Sequence, residues 1–73
     1  MGTLKILGER LCLLRNEKTL HQSDIAELLG ITQGHYQRME KGKINIPTLT
    51  LCALADYFGV TTDYLLGRSQ ERE

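Results

Sequence analysis

Gly34, Gln37, Arg38 and Lys41 stand at the i, i+3, i+4, i+7 spacing of one helix face, with Gln33 and His35 on its flanks. The face carries amides, a guanidinium and an ammonium, and no aliphatic side chain. These donors and acceptors suit base edges in a duplex groove and backbone phosphates. Tyr36 and Met39 lie roughly 60° apart on the other side and are expected to point inward. A solvated helix face has the same composition, so the elements around it must decide what the face is for.

Other chemistries find little support. There is no Gly-rich phosphate loop, no carboxylate pair in a plausible cleft, and no nucleophile with a base and an orienting partner, so no enzyme is expected. His21 and His35 are far apart and read as surface histidines, and no metal or cofactor is implied. Cys12 and Cys52 form no CxxC or Cys/His spacing and read as ordinary thiols in a reducing cytoplasm. No apolar run approaches the ~18–20 residues of a membrane span, and the start lacks the apolar core of a signal peptide.

The elements that hold the face follow from punctuation and period. Seventy-three residues, 41% hydrophobic and 25% charged, suit one small soluble domain with a thin core. Leu4, Leu7, Leu11 and Leu14 predict a helix over 3–17. A second helix is predicted over 22–29, stopped by Gly30; its start is open between a Thr19–Gln22 capping box and His21, a poor cap. Thr32 is a good cap for the helix that carries the polar face, about 32–41, which ends at Gly42. Thr48 is expected to cap a fourth helix to about Phe58, and Thr61 a short fifth one ending at Gly67. Residues 1–67 thus form an all-α five-helix domain, followed by a polar tail, 68–73, expected to fray.

Net charge is zero, but the balance runs +2 over residues 1–18, −2 over 19–32, +2 over 33–46 and −2 over 47–73. The basic centre coincides with the polar face, which permits a local field without a global one. Between the second and third helices, Leu28-Leu29-Gly30-Ile31-Thr32 is the short glycine-containing turn of a helix-turn-helix. Ile25 and Ala26 face inward before it, and Leu29 and Ile31 flank it.

Residues 7–66 resemble the Cro/phage-repressor, or XRE-like, helix-turn-helix family of transcriptional regulators. The matching pieces are LGERL at 7–11, Arg15, Gln22, Ala26, LLGIT at 28–32, MEKG at 39–42, Pro47, LCALADYFGV at 51–60 and Leu65-Leu66. The resemblance implies a compact lambda-repressor-like domain that binds double-stranded DNA as a homodimer on an inverted repeat, the third helix in the major groove. It assigns base reading to Gln33, Gly34, Gln37 and Arg38; glycine at 34 departs from the usual side-chain-bearing residue. Contacts to the DNA backbone are expected from Gln22, Thr32, His35, Lys41, Lys43 and Asn45. At Asn45 and Ile46 relatives often carry basic residues. The resemblance also pairs Arg15 with Glu40 as a partly buried ion bridge between the first and third helices.

Two surfaces are candidates for protein contact. Tyr64, Leu65 and Leu66 offer more apolar surface than a short helix can bury alone, so one is expected in the core and at least one other against a symmetry mate. Ile6 and Leu13 project away from the leucine seam. They are expected either to be covered by the fifth helix or N-terminal segment, or to meet a protein partner. The alternative function is accordingly an antitoxin-like or anti-repressor module that uses the same fold to bind protein.

Overall fold

The leucine seam winds into α1, Thr3–Glu17, in a computed structural model that describes residues 2–73. It is followed by α2, Gln22–Leu29; α3, Gln33–Glu40; α4, Thr48–Phe58; and α5, Thr62–Leu65, with no strand among the described residues. Leu7, Leu11 and Leu14 are buried, and Leu4 packs partly exposed on the same core. The core is completed by Ile25 and Ala26 of α2, Tyr36 and Met39 of α3, Ile46 of the loop before α4, Leu54, Ala55 and Phe58 of α4, and Tyr64 and Leu65 of α5. A single apolar stripe per helix, turned to one centre, is enough to order all five.

The caps explain the turns. Thr32 Oγ1 accepts the His35 N–H at 3.1 Å, and Thr61 Oγ1 accepts the Tyr64 N–H at 3.0 Å, as their positions predicted. Gly30 closes α2 in the left-handed conformation, φ 71°, which a side chain would strain. Two expected caps are corrected. Thr48 is the first helical residue of α4, and Pro47 precedes it without a side-chain cap. Thr19 does not cap α2 but takes φ 55° itself, closing the end of α1. At the start of α2 the Asp24 carboxylate instead accepts the His21 N–H at 2.7 Å, an acid well placed at a helix N-terminus.

α1 and α3 meet at Gly8. A Cβ built there would lie 2.2 Å from the Glu40 carbonyl oxygen, so only glycine allows the two backbones this approach. The polar tail is also not free. Arg10 Nη1 donates to the carbonyl oxygens of Tyr64 and, at 2.8 Å, Ser69, while its Nη2 donates to Gln70 Oε1 at 3.0 Å. The Thr61 N–H donates to the Arg72 carbonyl at 2.8 Å, and Arg72 pairs in bidentate fashion with Glu17 at 2.8 and 2.9 Å. Both arginines lie over the Tyr64 ring, at 4.2 and 5.4 Å from its centroid. Residues 68–73 therefore lie back across α1 rather than fraying.

This arrangement corrects the expected share of α5 in the core, which takes two of Tyr64, Leu65 and Leu66 rather than one. Tyr64 is 6% exposed and Leu65 0%, and Leu66 packs half-buried against the core. Neither Tyr64 nor Leu65 is left to meet a second copy, because the tail and both arginines close over this corner. Ile6 sets its side chain against Gly67 but stays 36% exposed, and Leu13 is 46% exposed, so neither is fully covered.

Candidate nucleic-acid interface

α3 is held from behind and open in front. Tyr36 and Met39 are buried, 0% and 2% exposed, which fixes the rotation of the helix about its own axis. Gln33, Gly34, Gln37, Arg38 and Lys41 are then all exposed, and His35 is half-exposed on the flank. The residues expected to read bases thus share one uninterrupted surface. The space beside Gly34 is open except for Arg38 Nη1, 3.9 Å from where a Cβ would sit. The Arg38 guanidinium therefore leans back along α3 over the position that lacks a side chain.

The ion bridge sets the tilt of α3. Arg15 Nε donates to Glu40 Oε2 at 2.7 Å and Nη2 to Oε1 at 3.1 Å, a two-pronged pair between α1 and α3. Arg15 Nη1 also donates to the Leu20 carbonyl at 2.8 Å, tying in the turn before α2. Burial alone would lift the Glu40 carboxyl. The guanidinium and the neighbouring donors outweigh that and hold it below the usual carboxylate range. The same pairing raises Arg15 above its ordinary value. Burial, reinforced by the nearby Glu40 carboxylate, pushes the Tyr36 phenol far upward, so it stays neutral; its hydroxyl makes no hydrogen bond of standard geometry.

The residues expected on the DNA backbone fall into two groups. Lys41, Lys43 and Asn45 are exposed around the turn after α3. Arg38, Lys41 and Lys43 have no ion pair among the described residues, whose two bridges are Arg15–Glu40 and Glu17–Arg72. Gln22 and Thr32 are partly engaged within the fold. Gln22 Nε2 donates to Glu40 Oε1 at 3.1 Å, and the Thr32 hydroxyl oxygen caps α3. Gln22 is thus first a member of the bridge, with its second amide hydrogen still available at the start of α2. Ile46, at a position where the resembled family often carries a basic residue, is 7% exposed and belongs to the core. The sequence pattern gave no sign of Lys5. It is exposed, and its backbone lies against Gly42, which brings this part of α1 up to the turn that carries Lys41 and Lys43. Only the Gly42 contact reveals this, since the two positions are far apart in the chain.

The result is a short helix with a polar, aliphatic-free face, flanked by unneutralised cations and preceded by a glycine turn from a second helix packed against it. The model of the Helix-turn-helix family matches residues 13–65. The chain belongs to this helix-turn-helix family. It is 41% identical over 61 residues to the SPbeta prophage-derived uncharacterized HTH-type transcriptional regulator YonR of Bacillus subtilis (strain 168), covering 84% of this chain and 56% of that protein. It is 37% identical over 65 residues to the HTH-type transcriptional regulator AnsR of the same organism, covering 89% and 56%. With the uncharacterized HTH-type transcriptional regulator y4dJ of Sinorhizobium fredii (strain NBRC 101917 / NGR234) it shares 33% identity over 61 residues, 84% of this chain and 79% of that one. The chain spans about half the length of the two Bacillus relatives. No helix among the described residues is long and apolar enough to cross a membrane.

Proposed function

We propose that this helix-turn-helix chain regulates transcription in the cytoplasm by binding a specific inverted-repeat operator as a homodimer, and that it represses by occluding polymerase. The observation that carries the reading is the α3 face: Gln33, Gln37 and Arg38 exposed together while Tyr36 and Met39 lock the helix from behind. Gln33 and Gln37 suit adenine and Arg38 suits guanine, each through paired hydrogen bonds in the major groove. Lys41, Lys43 and Lys5 supply phosphate contacts that set register, and the positive start of α2 at Gln22 supplies another. One α3 reads only a few base pairs, so specificity in a genome needs two copies about one helical turn apart, ~34 Å.

Selection of bound sites from a randomised duplex pool, followed by gel shifts across a salt series, tests the proposal. The expected result is an enriched inverted repeat bound in preference to scrambled DNA. A pool that enriches nothing would overturn it and favour a protein-binding module on the same fold.

A further inference from the structure

The exposed face of α4 lies outside the buried core and the proposed groove contact, with Lys18 Nζ 5.8 Å from the Tyr57 ring centroid at one end of it. Leu49 is 82% exposed and Tyr57 42%, with Cys52 and Ala53 exposed between them on the same side of the helix. The other exposed large apolar side chains, Ile6, Leu13 and Leu28, lie on α1 and α2, and no other helix brings two such residues together with small ones between. We propose that this face is a self-docking surface, on which α4 of a second copy of this chain packs antiparallel about a two-fold axis beside Ala53.

The pattern is self-complementary. Leu49 and Tyr57 lie four residues either side of Ala53, ~6 Å along the helix. Reversing the helix about that point sets each Leu49 against the second copy's Tyr57, while Cys52 and Ala53 leave the axis uncrowded. The Tyr57 ring is already held edge-on to Phe58, at a centroid distance of 5.2 Å, so little freedom is lost when it docks. The charges agree with the same reversal. Asp56, the one charged residue of α4, comes opposite Thr50, in the first turn of the other α4. That turn has no side-chain cap, so its amide groups and the positive helix end favour an anion there. A parallel pairing would instead bring the two Asp56 carboxylates together.

The size of the face sets the strength. A stable interface takes ~800 Å² from each partner, and one face of an eleven-residue helix supplies well under that. The free protein is therefore a weak, reversible dimer that two half-sites on one duplex would complete. The inference deepens the proposed homodimeric reading and rests on it, but its test is made without DNA, so the two fail separately.

Sedimentation equilibrium of the full chain at rising concentration is expected to show a monomer–dimer equilibrium. Ala53→Arg sets two like charges on the axis and is expected to weaken it by at least about tenfold, with an unchanged thermal melt because the position is exposed. Asp56→Lys is expected to weaken it less. A short bismaleimide is expected to join Cys52 to Cys52 in the wild type, and to give no dimer in Cys52→Ser or Ala53→Arg. A wild type that stays monomeric throughout, or an Ala53→Arg protein that dimerises as tightly as wild type, would overturn the proposal. Retention of selected-site binding in either case would leave the DNA reading standing.

Discussion

Removing Glu40 should destabilise the protein by an amount the structure bounds. The Arg15 side chain is 12% exposed and that of Glu40 5%, so each charge is largely withdrawn from water. Glu40→Ala strands the guanidinium and also leaves the Gln22 amide without its acceptor. Breaking a buried pair from one side costs ~3–5 kcal/mol. Arg15 keeps the Leu20 carbonyl and some solvent, which points to the lower end, ~3 kcal/mol. For a chain of this length total stability is of order ~4–11 kcal/mol, so the loss is a large fraction of the whole. At roughly 4–8 °C per kcal/mol it lowers the melting temperature by about 12–24 °C, read by circular dichroism. The double variant Arg15→Ala/Glu40→Ala should lose less than the sum of the singles, because no charge is left stranded. The pH dependence has a definite sign. Glu40 titrates below its unfolded value, so its contribution is complete above about pH 4.5 and is lost as pH falls through the lower folded value. The gap between wild type and Glu40→Gln should therefore narrow on acidification. A Glu40→Ala protein that melts within about 2 °C of wild type at neutral pH would refute the reasoning.

Four further outcomes are expected. Gln33→Ala and Arg38→Ala should each reduce discrimination for the selected operator by ~1–3 kcal/mol in competition gel shifts while melting like wild type, since both residues are exposed. Lys43→Ala should weaken all sequences alike and reduce the salt slope of binding by ~0.9 for each phosphate it no longer neutralises. Gly8→Ala gains up to ~1 kcal/mol of helix propensity but forces α1 and α3 apart, so a net loss of ~2 kcal/mol or more should appear in denaturant melts. Thr19→Gly relieves a β-branched residue at φ 55° and should raise stability by about 1 kcal/mol in the same assay.

Local features were legible in the amino-acid sequence alone: the bounds of α1 and α2, the Thr32 and Thr61 caps, the Gly30 stop and the exposed face of α3. Each rests on spacing within a turn or two of helix, where periodicity and capping chemistry act without help from the rest of the chain. The joint pattern around Leu28–Thr32 also carried the family, because it combines several such local signals. Tertiary packing settled whatever depends on which surfaces meet. Tyr64 and Leu65 look surplus on a helix of four residues until Arg10 and Arg72 bring the tail over them, through hydrogen bonds that span more than fifty positions of chain. Ile46 reads as a loop residue beside a DNA-facing lysine, and only its burial shows that the loop closes onto the core. Gln22 is a plausible phosphate ligand on α2 and becomes a partner of Glu40 only when α2 and α3 pack. Gly8 looks like a weak point in α1 until α3 arrives within touching distance. The exposed face of α4 belongs with these, for Leu49, Cys52, Ala53 and Tyr57 have ordinary core composition, and only the packing of Leu54, Ala55 and Phe58 inward turns them to the outside. Burial is a property of pairs of elements, so no single segment can state it in advance.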